Sequence, residues 1–451
     1  MFKRKAMEAL KEWRLNLAPQ YAALLEGARR VGKSTIAEEF AKENYRSYIK
    51  IDFANIAPDL LAVFNDIASL DIFFLRLQTV TGVTLYRRES VIIFDEIQLN
   101  PRTRQAIKYL VADGRYDYIE TGSLISIKKN VKNIVIPSEE HKISVYPMDY
   151  EEFMWAIGND TYNLLRELYQ TKKSVGDDTN RKLMRDFRIY MAVGGMPQAV
   201  QAYVGGKDFT QIDRVKREII GLYIDDFKKI DSSGLIGKMY KSVPSQLAIQ
   251  KRRYMITRAT NKRKTGKDLE RLSDLIDSKT VIPCYNTKNP SVSLPQTRDD
   301  ETFKLYLSDI GLFTTMIFDA SPGTGINVYG KLLSDKLPAD LGYLYENAAA
   351  QIISATNREL YYHTWEKSGS THNYEVDFLL QNGTKITPLE VKSSARKKHE
   401  SIDEFRRKYS KQIKESFLFS QKDVSNEGDL RLLPLYMLPF VLERLSEAEA
   451  T

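Results

Sequence analysis

The chain reads as an α/β protein with a parallel-sheet core, a helical and winged-helix-like middle, and a second α/β domain at its C-terminal end. Three observations predict this. Gly27, Gly32, Lys33 and Ser34 complete G-x-x-x-x-G-K-[ST] within LLEGARRVGKST, behind an apolar run and ahead of a helix-forming one. Apolar runs then alternate with helix-length segments as far as residue 148, with polar residues where the strands end, which is the pattern of a parallel sheet. Far downstream, NYEVDFLLQNGTKITPLEVKSS places two strand patterns around Asn382-Gly383, a strong hairpin signal.

Composition bounds the answer. With 451 residues, 43% hydrophobic and 28% charged, the chain has room for about three domains at roughly 150 residues each. Cys284 is its single cysteine, which excludes disulfides within the chain and any thiolate metal cluster. That fits a reducing compartment, and a cytoplasmic protein is expected. The four histidines, at 141, 363, 372 and 399, show no metal-ligand spacing. The opening MFKRKAMEALKEW is too charged for a signal peptide. The longest apolar run, residues 432–442, contains two prolines and is too short to span a bilayer, so no membrane partner is expected. A net charge of +8 leans towards a polyanionic partner.

The first domain is expected over residues 1–148. A basic helical lead (Lys3 to Asn16) precedes an apolar strand (Tyr21 to Leu25). The glycines after it let the backbone close around an anion with consecutive N–H groups aimed at phosphate oxygens. Lys33 brings a compact charge to the β/γ phosphates, and the Ser34 hydroxyl can ligate Mg²⁺. The helix STIAEEFAKE adds its N-terminal dipole. The whole loop, Gly27, Ala28, Arg29, Arg30, Val31, Gly32, Lys33, Ser34 and Thr35, is therefore the expected nucleotide contact. SYIKIDF reads as a strand ending at Asp52, and Leu60 to Leu77 as one long helix. In ESVIIFDEIQ a strand buried on both faces runs into Asp95 and Glu96, about 60 residues beyond the loop. Asp95 can hold Mg²⁺, and Glu96 can polarise the attacking water. YDYIETGSL ends in Thr121 and Ser123, either a γ-phosphate sensor or turn-forming hydroxyls.

GARRVGKST, IIFDEIQ, IETGSL and VYPMDYEEF together resemble the AAA-type ATP-binding proteins of prokaryotes that carry a conserved C-terminal region of unknown role, relatives of the archaeal ATPase and STAND groups. The resemblance implies ATP as ligand and extends to the C-terminus.

Residues 149–235 read as helices, interrupted by VGGMPQAV. In STAND-type ATPases a G-x-P element here lies against the base, which would make Pro197 a base contact beside Gly194 and Gly195. The other reading is a plain Gly/Pro corner between helices. Residues 236–335 suit a winged-helix module: two helices around a basic stretch, then strand-like VIPCYN and TFKLYLSD. That stretch, Lys251 to Lys267, holds eight Lys/Arg and no acid. It is either a solvated face or a phosphate-contacting one for DNA or RNA.

Residues 336–451 form the C-terminal domain. Asp377 lies on the first strand of the hairpin; Glu390 and Lys392 lie on the second, two apart and so on one side. Two carboxylates that bind Mg²⁺ and a lysine that orients water are what metal-assisted phosphodiester hydrolysis requires. The arrangement resembles the PD-(D/E)XK restriction-endonuclease-like fold, with Asp377, Glu390 and Lys392 at its D…ExK positions. The resemblance would make Glu346, in LYENAAAQII, the helix-borne acid. The apolar stripe of that helix leaves Glu346 to one side, where it could equally be solvated. The strict pattern is broken, since Pro388 precedes Glu390 and no proline precedes Asp377. Basic residues beyond the motif (Arg396, Lys397, Lys398, Arg406, Arg407, Lys408) would supply phosphate contacts.

Two functions of different kinds follow. One is an ATP-hydrolysing switch acting on or near nucleic acid, with a nuclease-like C-terminal domain. The other is an ATP-sensing regulatory protein that docks protein partners, with that domain inactive. A metal-dependent nuclease whose assembly ATP controls is a third reading. An arginine finger supplied in trans would need an oligomer, and spacing selects none of the arginines for it.

Overall fold

The computed structural model describes residues 1–122, 137–249, 253–261, 263–291, 293–317, 325–334, 342–370, 372–393 and 399–450. They divide into two units: residues 1–146 with 277–279, and residues 147–276 with 280–451.

In the first unit five strands form a parallel sheet: β1 (Ala22–Glu26), β2 (Ser47–Asp52), β3 (Ser90–Asp95), β4 (Asp117–Gly122) and β5 (Glu140–Ser144). Their order is β2-β3-β4-β1-β5. β1, β3 and β4 are buried along their whole length, which explains why their sequences show no polar alternation. The helix Pro101–Asp113 lays Ile107 and Leu110 on Leu24, Ile92, Phe94 and Tyr118, and Phe73, Phe74 and Leu77 complete that core. The helix expected over Leu60 to Leu77 is two helices. Pro58–Val63 passes through a 3₁₀ turn at Phe64–Asp66, and a new helix runs over Leu70–Thr81. The break puts Phe64 edge-on to Phe53, Phe73 and Phe94, and packing there overrides an otherwise continuous helical pattern. Register brings Leu25 opposite Thr121, and Asp52 opposite Asp95. The strand ends that carry polar side chains therefore lie side by side, where β1 parts from its neighbours and the chain order of the sheet reverses.

The second unit begins with helices, among them Tyr150–Ala156, Thr161–Gln170, Asp177–Val193, Pro197–Val204 and Phe209–Ile230. Among the described residues its sheet has eight strands. β6 (Val281–Thr287) and β7 (Arg298–Leu307) form an antiparallel pair, and β6 also runs parallel to β8 (Leu360–Glu366). β8, β9 (Asn373–Asn382) and β10 (Lys385–Val391) are antiparallel, and β11 (Ser416–Ser420) is parallel to β10. β13 (Leu430–Pro434) and the short β12 (Ser425–Glu427) close the edge. This sheet crosses the boundary expected at 335/336. Cys284 pairs with Leu360 and Tyr285 with Tyr361, so the strands expected in the winged-helix module join those of the C-terminal domain. The hairpin signal is met between β9 and β10. Asn382 pairs with Lys385, and Gly383 takes the left-handed conformation (φ 58°) that the two-residue loop requires. The helix Gly342–Ser354 packs over β6, β7, β8 and β10. Phe405 and Tyr409, in and just after the helix Glu400–Lys408, cover Tyr361, Val376, Leu379 and Ile386. Among the described residues no helix is long and apolar enough to cross a membrane.

Candidate functional site

Two clusters of charged side chains sit at strand ends, one in each unit. The first is the loop after β1. Gly27 is forced by its surroundings: a Cβ there would stand 2.1 Å from the Val145 carbonyl oxygen. Arg30 (φ 69°) and Gly32 (φ 101°) turn the backbone left-handed before the helix Lys33–Asn44 begins. Lys33 is only 6% exposed. Its ammonium donates to the carbonyls of Gly27 (3.0 Å) and Ala28 (2.9 Å). Burial pushes its pKa down to about 8, against the opposing pull of Glu96 and Asp95.

Around Asp95 the polar groups form a chain. Ser34 Oγ donates to Asp95 Oδ1 at 2.6 Å, and Thr121 Oγ1 donates to the same oxygen. The Glu96 backbone N–H donates to Thr121 Oγ1 at 3.2 Å. Lys50 Nζ stands 3.7 Å from Asp95 Oδ2. Glu96 itself takes a left-handed backbone (φ 55°), and its carboxylate accepts from Gln98 Nε2. Non-glycine residues adopt that conformation at a cost, and at a strand end it re-aims the side chain.

Thr121 thus acts on Asp95 through its hydroxyl; Ser123 lies outside the described residues. Of the loop, Ala28 and Val31 are buried, Arg29 is half-buried, and Arg30 and Thr35 are exposed. Three residues that the motif does not name complete the site. Arg4 is buried in the basic lead and donates to the Val31 carbonyl (2.8 Å) and the Tyr146 carbonyl (2.7 Å), bracing the loop from behind. Lys50 and Gln98 are the others. The alternation of Lys50 between Ile49 and Ile51 was the one available sign that it faces the strand end. A lysine cradled by backbone, with a hydroxyl and a carboxylate in contact beside it, suits a triphosphate and a hard divalent cation held by Ser34 and Asp95.

The second cluster joins β9 and β10. Asp377 is buried, and its Oδ2 accepts from the Val391 backbone N–H at 2.8 Å. Glu390 is 2% exposed; its Oε1 accepts from Lys392 Nζ, and its Oε2 has no hydrogen-bond partner among the described residues. Burial, reinforced by the Asp377 charge, pushes Glu390 up to about 8 even though Lys392 opposes the shift. The expected trio is thus brought together.

Glu346 departs from the solvated alternative. It is 3% exposed, and Tyr306 OH donates to its Oε2 at 3.4 Å, with Lys304 Nζ 3.8 Å from the same atom. A fully buried cation from β7 explains the inward turn: a carboxylate beside it gains more than one in water. Among the described residues no group of three or more His, Cys, Asp or Glu side chains is placed to hold a metal ion. Asp377 and Glu390 are the two carboxylates that could hold a cation there, which would leave its remaining positions to water and phosphate oxygens.

Pro197 opens the helix Pro197–Val204, half-buried, one residue after the N-cap. Its neighbouring glycines serve packing inside the second unit. A Cβ on Gly195 would meet the Met148 carbonyl oxygen at 2.0 Å, and one on Gly194 would meet Asp309 Oδ1 at 2.5 Å. In the basic stretch, Tyr254 and Ile256 are core residues, with Tyr254 OH donating to the Met239 carbonyl at 3.0 Å. Arg253, Arg258, Arg263, Lys264 and Lys267 are exposed and have no ion-pair partner among the described residues, while Lys251, Arg252 and Lys262 lie outside them. Arg406 and Arg407 pair with Asp403 and Glu404 on their own helix, and Lys408 lies over the Trp365 and Tyr409 rings. Arg396, Lys397 and Lys398 are outside the described residues.

Three family models match successive parts of the chain: an AAA domain at residues 19–154, a domain of unknown function (DUF8612) at 184–322, and a second (DUF4143) at 341–438. No curated protein matches. Among solved structures, Cdc6p from Pyrobaculum aerophilum is 14% identical, with 74% of this chain and 93% of that one covered at a TM-score of 0.26. AMPPCP-bound DnaA from Aquifex aeolicus is 13% identical, with 61% and 88% covered at 0.28. A STAND protein with a tetratricopeptide repeat sensor from Pyrococcus horikoshii is 11% identical, with 78% and 48% covered at 0.29. Scores at this level establish no shared overall fold. The AAA-domain match coincides with the parallel sheet and its phosphate loop, and residues 19–154 are accordingly an AAA-type P-loop ATPase core.

Proposed function

We propose that the chain is an ATP-hydrolysing switch acting on or near nucleic acid, and that its C-terminal domain is a metal-dependent phosphodiester site of the PD-(D/E)XK kind. One observation carries the ATPase part: Ser34, Asp95, Thr121 and Glu96 are hydrogen-bonded in series beside a buried lysine. When phosphates enter, Lys33 exchanges two carbonyls for their oxygens and regains full charge. Ser34 and Asp95 would hold Mg²⁺, which would supply positive charge against that developing on the phosphates. Thr121 keeps the Asp95 carboxylate aimed, and Glu96, on its strained turn, takes up the proton of the attacking water.

Nucleic acid is the proposed partner because five cations between residues 253 and 267 are exposed and have no ion-pair partner among the described residues, as phosphate contact demands. The succession of helices Leu235–Lys241, Val243–Leu247 and Gly266–Asp277 supports the winged-helix reading. In the C-terminal domain Asp377 and Glu390 would hold the cation and Lys392 would orient water. Displacement of Lys392 from Glu390 would be part of loading.

A combined experiment tests the assignment. DNA and RNA oligonucleotides are titrated at rising salt, and plasmid cleavage with Mg²⁺ or Mn²⁺ is followed with and without ATP for wild type and Asp377→Ala. Affinity that falls steeply with salt, and cleavage abolished in the variant, are expected. ATP turnover with salt-independent affinity and no cleavage would favour the docking protein instead.

A further inference from the structure

Lys304 was not singled out by any motif, yet it is one of the most enclosed charges in the second unit. It projects from β7 opposite Cys284 on β6 and is 0% exposed. Its ammonium donates to Glu375 Oε1 at 2.8 Å, stands 3.8 Å from Glu346 Oε2, and lies 4.8 Å from the centre of the Tyr362 ring. Glu375 is two residues before Asp377 on β9, and both acids act electrostatically on Glu390. Four carboxylates, Glu346, Glu375, Asp377 and Glu390, are thus answered by two lysines, Lys304 and Lys392. The carboxylates divide unequally. Lys304 takes Glu346 and Glu375, while Lys392 takes only Oε1 of Glu390; Asp377 Oδ2 rests on a backbone N–H, and Glu390 Oε2 has no partner among the described residues.

We propose that Lys304 is a built-in cation of the C-terminal acidic site, a positioning residue that occupies Glu346 and Glu375 and so limits the site to one divalent cation, held by Asp377 and Glu390. The inference rests on the metal-binding reading of that domain. Lys304 lies within residues 184–322 and the acids within 341–438. One matched region therefore supplies a charge that the other's site requires, and the parallel pairing of β6 with β8 holds the two in register. A buried ammonium does what a second metal ion would do for Glu346 and Glu375: it satisfies their charge without an open coordination position, so neither is left to recruit a cation from solution.

The test is Mn²⁺ stoichiometry and affinity on the full chain without nucleotide, read from free-ion EPR, in an Asp95→Asn background that removes any contribution from the ATPase site. One equivalent is expected, and none in Asp377→Asn. Glu346→Gln should leave number and affinity within about twofold, whereas removing a genuine metal ligand costs at least the 10–100-fold seen even for residues that only support one. Lys304→Gln should admit a second equivalent, removed again by adding Glu346→Gln, and Lys304→Arg should keep one. Two equivalents in wild type, or a tenfold affinity loss in Glu346→Gln, would overturn the proposal while leaving the metal site standing. The Glu346→Gln arm decides even if Lys304→Gln does not fold. No Asp377-dependent Mn²⁺ at all would overturn the metal-binding reading itself, and the proposal with it.

Discussion

The phosphate loop and the C-terminal hairpin use the same ingredients, a lysine and two carboxylates where strands end, and settle their charges in opposite ways. Lys33 rests on two backbone carbonyls, which are weak partners for an ammonium, and Asp95 is held by two hydroxyls. Every one of those hydrogen bonds can be exchanged for one to a ligand oxygen at little net cost. In the hairpin, Lys392 closes directly on Glu390, and burial with Asp377 nearby keeps Glu390 up at about 8. The first site stands ready for an anion, whereas the second would have to break an ion pair before taking up a cation. The lesson is that a pre-formed site is marked less by its charged residues than by how replaceable their partners are.

Substitutions at the first site should give the largest effects. Lys33→Ala or Glu96→Gln should lower ATP turnover by about 10² or more, the usual loss when a group facing transition-state charge is removed. Phosphate-release assays at saturating ATP check this, and a Glu96→Gln protein turning over at the wild-type rate would sink the role given to Glu96.

Next comes the basic stretch. Replacing Arg253, Arg258, Arg263, Lys264 and Lys267 with alanine should flatten the plot of log affinity against log salt by about 0.9 for each duplex phosphate that these side chains neutralise. Fluorescence anisotropy at several salt concentrations reads the slope, and an unchanged slope would place the nucleic-acid face elsewhere.

A proton count sharpens the comparison. The folded value of Lys33, about 8, lies below its ordinary 10.5. Folding therefore expels a proton in that window, and stability rises as pH climbs from about 8 towards 10.5. Incoming phosphates favour the charged amine, so ATP binding near pH 8.5 should take up a fraction of a proton, on the order of half. Calorimetry in buffers of different ionisation enthalpy measures it; binding heats that do not depend on the buffer would contradict the parked-lysine state.

The smallest effect is expected at the hairpin. Lys392 is a third exposed, so Lys392→Met should change unfolding free energy by under about 1 kcal/mol. Lys304→Met, which removes a fully buried charge and leaves Glu346 and Glu375 without it, should cost about 3–5 kcal/mol. Equal losses in chemical denaturation would erase the distinction drawn between the two lysines.

Much of both sites was legible in residue order because their parts are local. Gly27 to Ser34 form one loop, Asp95 and Glu96 end one strand, and Asp377, Glu390 and Lys392 share one hairpin. Backbone period and turn chemistry act over such distances. The helical middle was legible too, since its apolar stripes repeat every turn. Pairings between residues far apart in the chain were not legible. Nothing in Phe64 announces that three aromatic rings will interrupt a helix around it. Nothing in the basic lead says that Arg4 will reach the carbonyl of Val31. The strand VIPCYNT reads as half of a wing until β8 pairs with it, and only that pairing carries Lys304 to Glu346 and Glu375. The sequence by itself determined which residues could bind phosphate and metal, because those capacities belong to side chains and short loops. Which charges are satisfied in advance, and so which site stands open, was decided by the tertiary structure, because a buried charge is governed by the nearest opposite charge in space.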